Sequence, residues 1–404
     1  MSDIPGRHSR DIIPFPQDRV ARNRFDRARA ETKAGKRIVV REYDHIIFIS
    51  TIVLVAFGLV MVLSASSYAA MHSGAGMYSF FVTQAFGAGL GFLGMIFAAT
   101  INYQFVSRFS GLIYLLALVA LGLVFTPLGI EFNGALRWVS IGGFNFQPSE
   151  LAKVAVIIML SKYISHDTNR VNTFRGLFGC AVIVGIPVVL VMLGRNMSTM
   201  IILGAIAFVI IFLASPYFWR WVALGATAVV GIAGYLLYEH FIGEGFRGAR
   251  FGAWLDPFAD PTGFGFQNVQ SLYAVASGGL FGLGLGNSNQ KLYYLPEAQN
   301  DFIFAIIVEE LGLFGAMIVL MLFGILVWRG VMVAINSRSV LGCLIGTGII
   351  TMISVQVIIN VGVVTNTIPN TGIPLPFISY GGTSIAVMMT AIGLLLNISR
   401  YRRA

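Results

Sequence analysis

The chain has 404 residues, of which 56% are hydrophobic and only 11% charged. A soluble globular protein carries about 25% charged residues, so this chain lacks the polar surface to cover itself in water, and a mean hydropathy of +0.80 agrees. The 27 Lys and Arg against 18 Asp and Glu give a formal net charge of +9, but no aromatic interleaving or nucleic-acid module accompanies the basic run, which argues against nucleic acid as its partner.

In chain order, residues 1–44 form a basic tail holding eleven of the Lys and Arg. It reads as a disordered cytoplasmic segment facing anionic lipid headgroups. It is too long and polar ahead of the first apolar run to be a cleavable signal peptide. Apolar runs of about 18 residues or more then recur, each long enough to cross a bilayer as a helix. Ten spans are expected near 45–66, 80–101, 110–130, 148–164, 176–193, 198–214, 221–238, 302–327, 340–364 and 383–398. The fold class is therefore an all-α polytopic membrane protein, since a barrel would show short alternating segments. An even count puts both termini on one side. The positive-inside rule places the tail, Arg108, Lys162, Arg170, Arg175, Arg220, Arg329, Arg338, Arg400, Arg402 and Arg403 in the cytoplasm. The opposite face keeps Arg137, Arg195, Arg247, Arg250 and Lys291, with Lys153 near a helix start. The expected domains are the tail, a membrane domain over 45–398 that includes an external loop at 239–301, and a short cytoplasmic C-terminus at 399–404.

That topology gathers unusual sequence outside, in connections around 131–149, 239–301 and 365–382. Loops so rich in Gly, Pro and aromatics read as structured caps or re-entrant segments. A connection of about 60 residues is uncommon without a function. Gly87 and Gly91 form a G-x-x-x-G suited to helix packing. No internal repeat is strong enough to suggest an inverted-repeat transporter.

Much of the usual catalytic repertoire is missing. The Gly282–Gly286 run does not give G-x-G-x-x-G in register, and no G-x-x-x-x-G-K-[ST] occurs. The five histidines are scattered, Cys180 and Cys343 lie in apolar runs, and no G-x-S-x-G elbow is present. What remains are ions in costly places. Glu309 and Glu310 in the eighth span and Lys153 in the fourth read either as a Lys–Glu pair locking two helices or as a proton or ion pathway. Asp301, at the start of the eighth span, reads either as a helix N-cap or as a general base at the membrane–water boundary. Capping lowers its basicity and burial raises it, so the residues alone leave both open. Arg137, Arg247, Arg250 and Lys291, together with Lys153, could hold a diphosphate.

Several strings are nevertheless distinctive: Gly284-Leu285-Gly286-Asn287-Ser288-Asn289-Gln290-Lys291, Tyr294-Leu295-Pro296-Glu297, Asp301-Phe302-Ile303-Phe304-Ala305, Glu309-Glu310-Leu311-Gly312, and Asn370 through Gly382. With Arg137-Trp138, Gln147 through Lys153, Gln267 and Gln270-Ser271, they resemble the signature of the SEDS family (shape, elongation, division, sporulation). The resemblance runs in order from about residue 45 to the end. Its G-x-G-N-S-x-Q-K form is that of the division and sporulation branches more than the elongation branch. It implies a peptidoglycan glycosyltransferase that polymerises lipid II at the outer face of the cytoplasmic membrane, at the division septum, with Asp301 as the essential carboxylate. Glu150 and Lys153 match polar positions of the family's central cavity. Substrate-binding candidates are Arg137, Trp138, Glu150, Lys153, Arg247, Gln270, Ser271, Lys291, Glu297 and Ser379. Many members carry Q-P-D-x-G-T where this chain has Gly194-Arg195-Asn196-Met197-Ser198-Thr199, so the acidic position is absent here.

The implied chemistry needs one base, unlike the paired carboxylates of glycosidases, because a diphosphate-lipid leaving group departs without a proton. No nucleotide is required and no cofactor is firmly implied, though Mg2+ or Mn2+ is a candidate for steadying the departing diphosphate. Implied partners are lipid II and the growing glycan strand, a class B penicillin-binding transpeptidase touching the spans near 302–364, other division proteins, and membrane lipids. The competing classes are a lipid II flippase and a non-catalytic division scaffold.

Overall fold

The computed structural model describes residues 42–72, 76–132, 135–142, 144–217, 219–227, 234, 252–292 and 294–401. Its helices are α1 (His45–His72), α2 (Ser79–Thr100), α3 (Tyr103–Arg108), α4 (Ser110–Leu123), α5 (Pro148–His166), α6 (Phe174–Leu193), α7 (Met197–Ala214), α8 (Phe266–Gly278), α9 (Ile303–Ile335), α10 (Val340–Val364) and α11 (Gly382–Arg400). Among the described residues, seven helices are long and apolar enough to cross a membrane. Of the other expected spans, α5 carries Glu150, Lys153 and Lys162, α4 is a shorter apolar helix, and 221–238 runs beyond the described residues, as do the tail before residue 42 and Arg247 and Arg250. The chain is a multi-pass helical membrane protein.

The third span stops earlier than expected. Instead of reaching residue 130, α4 ends at Leu123, because Pro127 cannot continue a helix and Gly129 packs where a Cβ would strike the Val124 carbonyl. The following alternating sequence forms a small antiparallel sheet of β1 (Gly129–Phe132), β2 (Ala135–Ile141) and β3 (Phe144–Phe146), in the order β1-β2-β3. Its register pairs Ile130 with Trp138 and Val139 with Phe146. An all-helical reading did not anticipate this sheet, since its strands are short and directly follow an apolar run. The Pro148 at the N-terminus of α5 then returns the chain to helix.

Hydrophobic burial does not drive helix association in lipid, so close packing and polar contacts must hold the bundle. The α2–α11 pair shows the first. A Cβ on Gly87 would lie 2.4 Å from the Gly382 Cα and O, and one on Gly91 would lie 2.9 Å from the Ala386 Cα. Thus the G-x-x-x-G does pack a helix, namely α11. Gly87→Ala should cost about 1–3 kcal/mol by overpacking backbone on backbone, read as a lowered unfolding midpoint in detergent. Gly89→Ala, which meets nothing within 4 Å, is the neutral control.

Polar contacts tie the ends. The Asp44 carboxylate accepts from the Ile46 and Ile47 N–H groups at 3.2 and 3.3 Å and pairs with Arg329 of α9 at 2.6 Å. Its own N–H donates to Ser399 of α11 at 3.0 Å. At 33 residues, α9 is about 50 Å long. Its 18 residues from Leu311 to Trp328 carry no charge and span about 27 Å, close to the hydrocarbon thickness of about 30 Å. The two turns before Leu311 carry Glu309 and Glu310, and Asp301 lies ahead of them, at the end opposite Asp44.

One backbone break lies at that boundary. Gly312 has φ 70° and ψ −172°, which interrupts α9. Broken helical backbone in a bilayer needs new partners, and the segment after α8 supplies them. Leu283 and Gly284 N–H donate to the Glu309 and Glu310 carbonyls at 2.9 and 3.0 Å, while Leu313 and Phe314 N–H donate to Gly279 and Leu280 carbonyls at 3.0 and 3.2 Å. Phe281, exposed on the outside of this segment, stacks on Phe314 with ring centroids 5.2 Å apart. The glycine run at 282–286 thus belongs to a loop docked on a helix break.

Candidate active site

Asp301 sits two residues before α9, half-buried. The N-cap position belongs to Phe302, and no side chain caps the helix. The N-cap reading of Asp301 is corrected by one residue of register. Its backbone is held instead: the buried Asn360 of α10 donates both amide protons, to the Asp301 carbonyl at 2.7 Å and to the Ile373 carbonyl at 2.8 Å. This brings the turn at 370–373 against Asp301. A Cβ built on Gly372, which has φ +66°, would lie 3.3 Å from Asp301 Oδ2, so the bare glycine borders the carboxylate.

The same turn is fastened on two further sides. Asn370 accepts from the Gly372 N–H at 3.2 Å and donates to Gln267 of α8 at 2.8 Å. Ser198 of α7 donates its hydroxyl to the Thr371 carbonyl. Farther along, Gln84 of α2 donates to the Ser379 carbonyl at 3.0 Å and accepts from the Gly381 N–H at 2.8 Å. The Ser379 hydroxyl accepts from Leu375 N–H at 2.7 Å. Ser379 therefore shapes the loop.

Glu150 and Lys153 form a buried ion pair at 2.8 Å within α5, and the second Glu150 oxygen accepts from Ser384 of α11 at 3.1 Å. The expectation that Lys153 pairs with Glu309 or Glu310 across two helices is corrected. Spacing of three residues on one helix face brings Glu150 closer. Glu310 pairs with Lys291 at 2.8 Å. The Lys291 ammonium also donates to the Gly286 carbonyl at 2.6 Å and Ser64 at 3.2 Å. An ammonium has three donors, and all three are used, so Lys291 does not face outward toward an anion. Ser64 of α1 lies 2.7 and 2.8 Å from the two Glu310 oxygens. Glu309 accepts from the Ser288 hydroxyl and the Asn289 N–H, the latter at 3.0 Å. These acids are satisfied locally, which does not suit a proton pathway.

The remaining candidates lie around these centres. Arg137, half-buried on β2, donates to the Arg195 carbonyl at 3.3 Å and lines a cleft with Ser149, Asn196, Leu121 and Phe125. Trp138 lies beside it on the sheet, half-buried. Asn196 accepts from Thr199 N–H at 3.2 Å and caps α7, the task an aspartate would perform there. Gln270 is half-buried on α8, whereas Ser271 spends its hydroxyl on the Val364 carbonyl at 2.9 Å, joining α8 to α10. Glu297, with φ 56°, accepts from the Asn300 amide in the turn leading to Asp301. Sequence reasoning missed Asn360, Gln84 and Ser198, although for Asn360 and Gln84 a lone amide in an apolar run was a readable signal. Among the described residues no group of three or more His, Cys, Asp and Glu could hold a metal ion.

Residues 44–404 match the model of the FtsW/RodA/SpoVE family, described as cell cycle protein. Stage V sporulation protein E of Bacillus subtilis is 41% identical over 362 residues, 89% of this chain and 98% of that protein. The probable peptidoglycan glycosyltransferase FtsW of Geobacter sp. strain M18 is 37% identical over 366 residues, 90% of this chain and 98% of that one. The fold resembles a chain in a peptidoglycan synthase complex (TM-score 0.73, 24% identity, 89% of this chain and 99% of that one). It also resembles the rod shape determining protein RodA of Thermus thermophilus (TM-score 0.64, 24% identity, 90% and 98%).

Proposed function

The chain belongs to the FtsW/RodA/SpoVE family of cell cycle proteins, and on that footing we propose that it is a peptidoglycan glycosyltransferase polymerising lipid II at the outer face of the cytoplasmic membrane. The supporting observation is the place of Asp301: before the uncharged stretch of α9 and one residue ahead of the N-cap position, its carboxylate beside a turn that lacks a side chain at Gly372. Asp301 takes the proton from the 4-hydroxyl of one lipid II GlcNAc. The freed oxygen attacks the anomeric carbon of the growing strand's MurNAc with inversion. The bond from that carbon to the diphosphate breaks, and the diphosphate-lipid leaves with the electron pair. Protonated Asp301 returns its proton to solvent. Lys153, Arg137 and Arg247 are proposed on the diphosphate side, with Glu150 holding Lys153. Trp138, Gln270 and Glu297 are proposed to contact the sugars.

The cytoplasmic side is then the Asp44 end, in keeping with the basic tail before it. Relatives carry division and sporulation names, and septal work is the reading favoured by the loop at 284–291. A class B penicillin-binding transpeptidase against α9 and α10 is the proposed partner, with other division proteins nearby. Because Lys153 pairs with Glu150 and Lys291 with Glu310, while Ser288 and Asn289 hold Glu309, a charge-driven lipid II carrier is the weaker alternative. The purified chain, given fluorescent lipid II in liposomes, should build glycan polymer; translocation without polymer would replace the enzyme by the carrier.

A further inference from the structure

We propose that Lys291 and Glu310 are positioning residues for Asp301: their ion pair clasps the base of the loop that carries the carboxylate. The pair joins residues 19 apart in sequence, and Asp301 lies midway between them. Its partners are buried, at 6% and 0% side-chain exposure. Ser288 and Glu309 form a second rung directly beside it, with the Lys291 N–H donating to the Ser288 hydroxyl at 3.2 Å. From this base the chain rises through turns closed by Leu295 N–H to the Gln290 carbonyl and Asn300 N–H to the Glu297 carbonyl, both at 2.9 Å. Asn360 then fixes the Asp301 carbonyl from the far side. The loop is held at base and tip, with the carboxylate at the tip.

The chemistry of the base decides between glue and clasp. A buried ion pair adds little net stability over apolar residues of the same volume, but losing one partner strands a charge at large cost. What such a pair supplies is geometry, because each donor and acceptor has one satisfied arrangement. Here all three ammonium donors and both Glu310 oxygens are engaged. A one-residue slip of the 288–291 segment against α9 would break them together and shift Asp301 relative to Gly372. A misplacement of about 1 Å costs a catalytic group about 100-fold.

This inference rests on Asp301 being the base, and its test has an arm that does not. Lys291→Met, Glu310→Gln and the double variant are made in the full-length chain in nanodiscs. Hydrogen exchange of residues 292–302 and lipid II polymerisation are then measured. Lys291→Met should speed exchange there and lower kcat by about 10- to 100-fold, with KM within about twofold. Adding Glu310→Gln should recover a large part of both, because no charge is then stranded. If Lys291→Met instead raises KM with exchange unchanged, Lys291 is a substrate ligand and the clasp is refuted. If the double variant is no better than the single, or exchange rises equally in α10 and α11, the pair is general glue and the clasp is again refuted. Should wild type make no polymer, the enzymatic reading fails, while the exchange pattern still decides the clasp.

Discussion

Asp301→Asn should lower lipid II polymerisation by about 100- to 10,000-fold, the contribution of a positioned general base. The substitution isolates chemistry from fold. Asparagine keeps the size of the side chain, and Asn360 holds the backbone carbonyl at 2.7 Å, a contact the change leaves alone. Phe302, not Asp301, occupies the cap position of α9, so no helix cap is lost. The unfolding midpoint should therefore match wild type while polymer disappears from the gel. Asp301→Glu should also fail: the extra methylene displaces the carboxylate by about 1 Å, and such a misplacement costs a catalytic group about 100-fold. Polymer at the wild-type rate from a folded Asp301→Asn protein would remove the proposed mechanism.

Gly312→Ala should be the most damaging of the small substitutions. Its φ of 70° and ψ of −172° lie in a region that is essentially restricted to glycine. The added Cβ would come within 2.4 Å of both the Gly282 N and the Leu280 O, which are backbone atoms and cannot rotate away. Alanine also favours an unbroken helix. A straightened α9 would expel the 279–284 segment, with the loss of the four backbone hydrogen bonds between that segment and residues 309–314. Unsatisfied backbone groups cost about 1–3 kcal/mol each, so a loss of about 3–6 kcal/mol is expected after partial compensation. The measurements are denaturant unfolding in detergent and proteolysis of the 279–291 loop. Gly324→Ala on the same helix, where a Cβ meets nothing within 4 Å, should be neutral or slightly stabilising. Equal behaviour of the two variants would show that the break at Gly312 carries no weight.

Much of this architecture was legible because a bilayer leaves backbone few options. An apolar run must be helical whatever its neighbours, so α1, α2, α6, α7, α9, α10 and α11 lie close to where composition put them. The helical reading failed where the chain leaves the hydrocarbon. At 124–146 the solvent side again permits strands, and a proline with a close-packed glycine decides the exit.

The amino-acid order by itself determined that this chain spans a membrane many times, that Glu309 and Glu310 need partners, and that Asp301 stands at a helix start. Only the tertiary structure decided who those partners are. Lys153 turns to Glu150 on its own helix, while Lys291 pairs with Glu310, 19 residues along the chain. The reason is physical: hydropathy and spacing act along one segment, whereas a buried charge is satisfied by whichever groups the packing of separate helices brings within about 3 Å.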